Sequence, residues 1–207
     1  SGLARLQALR HLRNLDVRYT AATRTGVDSL RAAVPSLKVA FLETGGKSSG
    51  VGDSQLARIA ARKDLRQLDL SSSEVGDLGL NHLRGLTALE ELNLAQTTVS
   101  DAGLRNLAAL PLLRKLVLDG TLVRGAALAQ LSHLTELSLA NTSAGNDALA
   151  QAAQIPGLKR LNLSYSEVTD TGLAVSLPAL TELDLTGADI GDAGIREIAK
   201  LTGLRRL

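Results

Sequence analysis

One motif recurs along most of this chain and limits what the chain can fold into. The pattern Leu-x-x-Leu-x-Leu starts at six places that lie 21 to 24 residues apart: Leu65, Leu89, Leu113, Leu134, Leu158 and Leu180. Looser copies start at Leu12 and Leu37, and an unfinished copy occupies residues 204–207. A repeat of this length is one supersecondary unit that buries its apolar face only against neighbouring copies.

The two halves of each repeat predict different secondary structure. Leu-x-x-Leu-x-Leu ends in apolar residues two positions apart, which is typical of a short strand with one buried face. The next segment, Thr/Ser-x-Val-x-Asp-x-Gly-Leu-x-x-Leu, has apolar residues three apart, as on one face of a helix. In the last full repeat this face is predicted to bury Ile195 and Ile198. The repeats from Leu113 and Leu158 are short, which predicts helices reduced to a turn.

A short polar residue or glycine lies twelve residues after the first Leu of each of the six close copies, and the repeat from Leu37 has Asp53 there if a four-residue insertion is allowed for. Its residue type predicts a helix N-cap, where a side-chain oxygen or a bare backbone serves the first free N–H groups. A Gly or Ala follows two positions later and is predicted to let the helix approach the strands. The N-cap series is Asp53, Asp77, Asp101, Gly125, Asn146, Asp170 and Asp192.

These motifs resemble the leucine-rich-repeat family across essentially the whole chain. The 24-residue form Thr-x-Val-x-Asp-x-Gly-Leu looks like bacterial leucine-rich repeats and is similar to their cysteine-containing subtype, here without the cysteine. The resemblance implies an α/β fold, a right-handed solenoid or horseshoe with a parallel sheet on its concave face and short helices on its convex face. It predicts one domain over residues 1–207 with about eight repeats. Both chain ends cut through a repeat, so we expect a segment of a longer polypeptide.

Composition excludes several classes of function. The chain has no Cys and only three scattered His, so it offers no thiolate site, disulfide framework or His-based metal site. The formal net charge of +2 gives no electrostatic footprint for nucleic acid. No apolar run approaches the ~20 residues that cross a bilayer. We therefore expect no catalytic constellation, no cofactor, no metal, no nucleic acid and no membrane, and a monomer in solution.

The resemblance implies that a partner protein binds the concave face, where the variable strand residues point outward. The residues predicted to contact it are Tyr19, Val39, Phe41, Asp69, Asn93, Val117, Arg160 and Tyr165. Phe41 is the only Phe, and it stands near Val39 and Tyr19, a grouping typical of a binding hot spot. Two interpretations of this group stay open: a hot spot, or residues that a preceding repeat covers.

The sequence therefore predicts a protein-recognition module of a larger bacterial protein. The alternative is the substrate-recognition part of a secreted effector enzyme, such as a nucleotidyl transferase or ubiquitin ligase acting on host proteins, whose catalytic residues lie outside this segment. Localisation stays open between the bacterial cytoplasm and secretion into a host cell.

Overall fold

A computed structural model describes residues 14–16, 30, 32–34, 38–40 and 52–207. The chain forms two compact units, residues 1–51 and residues 52–207, and each has its own sheet. The prediction of one domain over residues 1–207 stays a prediction.

In the first unit, strand β1 (Asn14–Asp16) pairs in parallel with β2 (Lys38–Ala40). Their register corrects the predicted alignment of these two repeats. The sequence frame that starts at Leu37 aligns Val39 with Asn14, whereas the strands pair Val39 with Leu15.

In the second unit, six strands of three residues each form one parallel sheet in chain order. Their bounds are β3 Gln67–Asp69, β4 Glu91–Asn93, β5 Lys115–Val117, β6 Glu136–Ser138, β7 Arg160–Asn162 and β8 Glu182–Asp184. The register is constant, so equivalent residues of successive repeats stand beside one another. Each strand's middle residue is a Leu, and from Leu92 to Leu183 these side chains are almost fully buried.

A helical segment follows most strands and contacts the corresponding segments of neighbouring repeats. The α-helices are α1 Asp53–Ile59, α2 Asp77–Leu83, α3 Asp101–Leu104, α4 Asn146–Ala152 and α5 Asp192–Ile198. Single-turn 3₁₀ helices occupy Leu107–Ala109, Leu128–Gln130 and Asp170–Leu173. The last two belong to the repeats from Leu113 and Leu158, so the predicted shortening of these helices is confirmed. No helix in the described part of the chain is long and apolar enough to cross a bilayer.

The core of this unit lies between the sheet and the helical row and is aliphatic. Each repeat contributes its motif leucines, a small residue from the turn and one or two helix leucines. Val75, Val99, Val123, Ala144 and Val168 hold the equivalent turn position and are fully buried. Because every repeat presents the same side chains at the same register, the core continues through the stack.

The acidic column after each turn has a different role from the one its residue types predict. The N-cap of α1, α2, α4 and α5 is the Gly before the acidic or amide residue, and that of α3 is Ser100. The Asp carboxylate instead accepts from the N-cap N–H of the next repeat. Asp53 Oδ1 accepts from Gly76 at 2.8 Å, and Asp77 Oδ1 accepts from Ser100 at 2.7 Å. The N-cap prediction for this column is therefore wrong, and the column ties successive repeats together.

The small residue two positions after the Asp makes room for that tie. A Cβ at Gly103 would overlap Asp77 Oδ1 of the preceding repeat, and Gly79, Gly172 and Gly194 are crowded in the same way. Gly125 is an informative exception, because its own missing side chain leaves space for Ala148 in the next repeat. Most of the described joints between helical repeats therefore use an Asp or Asn followed by Gly, whereas Asp101 is followed by Ala127 and Gly125 is followed by Ala148.

The predicted burial of Ile195 is wrong, since its side chain is 51% exposed. Its counterparts Leu80, Leu104 and Leu149 are fully buried, and each of them is followed by another helical segment. In the described structure of residues 52–207, no further helical segment packs against this side of Ile195. Ile198, which faces the preceding repeat, is buried as predicted.

Candidate protein-binding face

The sheet of the second unit has one face against the helical row and one open face. The first and third residues of each strand form two columns on the open face. The first column runs Gln67, Glu91, Lys115, Glu136, Arg160 and Glu182, and Arg206 extends it through a single parallel bridge to Glu182. The third column runs Asp69, Asn93, Val117, Ser138, Asn162 and Asp184.

Charges in the first column alternate in sign from Glu91 to Arg206, and we call this row the charge ladder. Glu136 lies at its centre, where it pairs with Arg160 on one side and with Lys115 at 4.0 Å on the other. Arg160 in turn stands 3.9 Å from Glu182. The hydrogen bond from Arg160 to Glu136 and the charge of Glu136 raise the pKa of the Arg160 guanidinium above its ordinary value.

Most of the third column stabilises the turn that ends each strand. Asn93 Oδ1 accepts from the N–H of Ala95 at 3.0 Å, and Asn162 Oδ1 accepts from that of Ser164 at 2.9 Å. An Asx turn of this kind suits Asp or Asn, whose short side chain reaches the backbone two residues on. At the shorter Ser138, Asp119 of the preceding repeat supplies the carboxylate instead, accepting from Ser138 Oγ at 2.5 Å and from the N–H of Ala140 at 3.0 Å.

Asp184 shows the electrostatic consequence of such a turn. Its Oδ1 accepts from the N–H of Thr186 at 2.9 Å. This backbone bond, a side-chain bond from Thr186 and the nearby Arg206 charge together hold the pKa of Asp184 below its ordinary value of 3.8. Asp184 therefore stays ionised at any pH near neutrality.

An open groove of about 500 Å³ crosses strands β5 to β8 on this face. Members of both columns line it, together with Thr186 and the chain end at Arg206 and Leu207. Its lining combines the charge ladder with the short polar side chains of Ser138 and Asn162, so a partner here meets directional polar groups.

A column of left-handed residues runs along the edge where the strands end. Ser72, Gln96, Asn141 and Tyr165 have φ between 53° and 57°, while Gly120 and Gly187 fill the same position in other repeats. The N–H of each residue that precedes another repeat donates to that repeat, as Tyr165 does to the carbonyl of Thr186 at 2.7 Å. Tyr165 is the bulkiest residue in the column, is 61% exposed, and lays its ring where a Cβ at Gly187 would stand.

The predicted contact residues are distributed unevenly over these features. Arg160 and Val117 lie in the groove lining, and Tyr165 stands beside Thr186 at its edge. Asp69 and Asn93 lie further along the sheet and hydrogen-bond each other, with Asn93 Nδ2 donating to Asp69 Oδ2 at 3.2 Å. Tyr19 and Phe41 lie outside the described residues, and Val39 is described only as part of β2. The hot-spot hypothesis for these three stays a prediction.

The contact set predicted from the sequence omits five residues of the ladder: Glu91, Lys115, Glu136, Glu182 and Arg206. A signal for all five is present, because each stands two residues after the first Leu of its repeat. Arg206 was missed because its repeat is unfinished. The turn role of Asp69 and Asn93, which the sequence predicts as contact residues, does not follow from the pattern, because a contact residue and a turn acceptor are both polar and solvent-facing.

Among the residues that the structure describes, no group of three or more His, Asp or Glu side chains could hold a metal ion. Two hydroxyls line the groove, and both hydrogen-bond carboxylates: Ser138 bonds Asp119, and Thr186 bonds Asp184. What the arrangement offers is a polar, charge-patterned surface on a rigid sheet, which suits recognition of another macromolecule.

The comparisons with known proteins agree with this architecture. A family model described as Leucine Rich repeat matches residues 63–81, 85–108, 157–175 and 177–199. No curated protein matches the chain at a significant level.

Solved structures of similar fold include two internalins of Listeria monocytogenes. For the internalin inlF, the TM-score is 0.63 at 20% identity, covering 97% of this chain and 62% of that one. For the internalin C2, the TM-score is 0.58 at 24% identity, covering 97% of this chain and 83% of that one. TLR13, solved as a complex with ssRNA13, has a TM-score of 0.56 at 19% identity, covering 96% of this chain and 32% of that one. The chain thus spans less than two thirds of inlF.

The repeats, the parallel sheet with its helical row and these matches identify the chain as a leucine-rich-repeat protein with the solenoid fold of that family. Leucine-rich-repeat domains generally mediate protein–protein interaction, and the fold is typically non-catalytic.

Proposed function

We propose that this chain is a protein-recognition module that binds a partner protein through the open face of its sheet. The single observation that carries the proposal is the groove across β5 to β8, which sets exposed, charged side chains on a rigid strand register. The opposite face of the same sheet is committed to the leucine core. The open face is therefore the part of the sheet that remains for a partner.

Within this face, we expect Val117, Arg160 and Tyr165 to make direct contacts. Val117 is the only apolar member of the third column, and Arg and Tyr are the residue types most enriched in binding hot spots. Asp69 and Asn93 would contribute through the flat polar surface of β3 and β4. Tyr19, Val39 and Phe41 are proposed as a second contact group.

The charge pattern favours protein over nucleic acid as the partner. Phosphate backbones are bound by clustered Lys and Arg, each of which releases counterions. In the ladder, Glu91, Glu136 and Glu182 interrupt the cations at every second position, so no basic stripe forms. RNA binding by TLR13 is a property of that protein.

Site-specific photo-crosslinking tests the proposed face. A photoreactive amino acid replaces Val117 in the groove, and in a matched variant it replaces the exposed His82 on α2. We expect proteins of the source cell, or of its host, to be captured from position 117 and not from position 82. Capture from position 82 alone would refute the use of the sheet face.

The second contact group is tested separately by Tyr19→Ala and Phe41→Ala. Once the captured partner is purified, each substitution is expected to weaken its binding by about tenfold, which is typical of a hot-spot aromatic. Parent-like binding by both variants would remove Tyr19 and Phe41 from the interface.

The enzyme-associated alternative is tested by the intact mass of the polypeptide in its source cell. A mass far above 21.6 kDa, with room for a further domain, supports a recognition module attached to other activities. A mass within a few repeats of this value means that the protein acts by binding alone.

A further inference from the structure

The charge ladder has a period as well as a sign pattern. From Glu91 to Arg206, six consecutive positions alternate between acidic and basic, each in register with the next. Adjacent strands lie about 4.8 Å apart, so the ladder repeats its sign about every 9.6 Å. A surface assembled only for solubility needs mixed charges, but it does not need them in strict order.

The ladder keeps capacity for an external partner although its members also pair with one another. The side chains of Lys115 and Arg160 are 46% and 50% exposed, and that of Glu182 is 38% exposed. A carboxylate accepts about four hydrogen bonds and a guanidinium donates five. Each internal ion pair uses only part of that capacity, and the remainder faces solvent.

The spacing distinguishes between partner conformations. Along an α-helix, side chains on one face recur about every 5.4 Å, one per turn. Along an extended strand, side chains on one face recur about every 6.6 to 6.8 Å. The ladder step is about 4.8 Å, so the offset between helix side chains and ladder side chains grows to about 3 Å over the six positions. A Lys, Arg or Glu side chain is long enough to span this offset. For an extended strand, the same offset grows to about 9 to 10 Å, so its side chains no longer stand opposite the ladder charges.

The width of the face agrees with the same partner. Each strand is three residues long, so the open face is about 10 Å across. An α-helix with its side chains measures about 10 to 12 Å in diameter. A helix laid across the strands therefore touches both columns at once, with the ladder on one side and Val117, Ser138 and Asn162 on the other.

We propose that the charge ladder receives an α-helix of the partner protein, laid across β4 to β8, whose facing residues alternate between acidic and basic at successive turns. This inference rests on the proposed use of the sheet face and adds the chemistry of what binds there. Opposite charges then meet at every step, and a helix with charges of one sign meets repulsion at every second step.

Three synthetic peptides test the pattern, with binding measured by fluorescence anisotropy at low salt. The first carries Glu and Lys alternately at one-turn spacing on one face. The second has the same composition, with all Glu in one half and all Lys in the other. The third keeps the alternation but contains two central prolines that prevent the helix.

We expect the alternating helix to bind at least tenfold more tightly than either of the other peptides. Equal binding of the alternating and block peptides would overturn the pattern. Equal binding of the proline peptide would overturn the helix, and no saturable binding by any peptide would overturn both.

A single substitution in the ladder provides a specificity test on the protein side. Glu136→Lys converts the centre of the ladder into three consecutive cations, Lys115, the new lysine and Arg160. The alternating peptide should lose at least tenfold in affinity, and the block peptide should gain affinity through its acidic half. Glu136→Gln, which removes the charge with little change of shape, should give an intermediate loss and guards against a folding artefact.

The matched control is Glu197→Lys, which makes the same change of charge on α5, in the helical row. It should leave both affinities within about twofold of the parent. Equal losses from Glu136→Lys and Glu197→Lys would show a net-charge effect and overturn the inference. If the peptides fail while position 117 still captures a protein, the helix inference fails alone. Absence of capture from the sheet refutes the proposed function itself.

Discussion

At the scale of single residues, side chains on the open face also hold their own repeat together. Asp69 and Asn93 illustrate this, because each accepts a backbone N–H two residues on and the two bond to each other. The sequence predicts correctly that these positions leave the core, since they alternate with buried leucines. The sequence does not distinguish residues that accept a turn hydrogen bond from residues that are available to a partner, because both types are polar and solvent-facing.

Tyr165 lends itself to a residue-scale prediction about strain. A left-handed backbone costs an ordinary L-residue about 1 to 2 kcal/mol, and Asn tolerates it better. Asn141 holds the same position with φ of 54°. Tyr165→Asn should therefore raise the free energy of unfolding by about 0.5 to 1 kcal/mol, measured by urea denaturation. Tyr165→Val should lower it, because a branched side chain suits this conformation least. A loss of stability in the Asn variant would mean that the ring's packing on Gly187 outweighs the strain.

Asp184 gives a prediction about pH. Because its pKa is held below 3.8 in the folded protein, ionised Asp184 contributes stability above that pH, and the contribution is lost as the pH falls through the folded value. Asp184→Asn keeps the turn acceptor, as Asn162 does, but removes the titration. The parent should be more stable than the variant near neutral pH, and the difference should shrink below pH 3.8. A difference that does not change with pH in parallel urea titrations would contradict this.

At the scale of elements, the joint between successive helical segments is the clearest departure from sequence-based expectation. Strand positions and helix lengths follow from the apolar spacing, including the shortened turns at Leu128–Gln130 and Asp170–Leu173. The role of the Asp column does not follow, because a carboxylate near a helix start has two candidate sets of N–H groups. The distance between stacked repeats decides that the carboxylate accepts from N–H groups of the next repeat. This distance is a property of the tertiary structure and cannot be read from the sequence.

A double-mutant cycle on one joint tests this arrangement. Asp77→Gly leaves the N–H of Ser100 without its acceptor and should cost about 1 to 3 kcal/mol. Gly103→Ala places a Cβ against the Asp77 carboxylate and should cost about 1 to 3 kcal/mol. Together they install the residue types of the Gly125–Ala148 joint, with no carboxylate left to meet the new Cβ, so the double variant should cost at least about 1 kcal/mol less than the two separate costs combined.

The control for this cycle pairs Gly103→Ala with Asp53→Gly, which belongs to the preceding joint. These two substitutions should act additively within about 0.5 kcal/mol, because their side chains share no partner. Additivity in the Asp77 cycle as well would show that Asp77 and Gly103 do not fit each other in the way the structure indicates.

At the scale of the molecule, the solenoid follows from the sequence because periodicity alone specifies it. Equivalent leucines recur at nearly constant spacing, and no other architecture buries them all. The burial of each one depends on whether another repeat packs over it. Leu80 is fully buried beneath the next repeat, whereas Ile195, in the same position of the last helix, is half exposed.

This difference predicts a gradient of stability along the stack. Leu80→Ala should lower the free energy of unfolding by about 2 to 5 kcal/mol, as in other well-packed cores. Ile195→Ala should lower it by about 1 kcal/mol or less, because half of its side chain already meets water. Hydrogen exchange should show the same order, with amides of α5 exchanging faster than those of α2. Equal protection of the two helices would contradict the gradient.

The residues at each joint also restrict how such a gene can gain or lose repeats. An in-frame deletion of the repeat from Leu65 would bring Asp53 against Gly103, a fit already used elsewhere in the chain. A deletion of the repeat from Leu134 would bring Gly125 against Gly172 and would remove the Asn146 oxygen that accepts from the N–H of Thr169. Recombination between near-identical repeats is therefore tolerated at some boundaries and rejected at others, so neighbouring repeats are inherited as matched pairs.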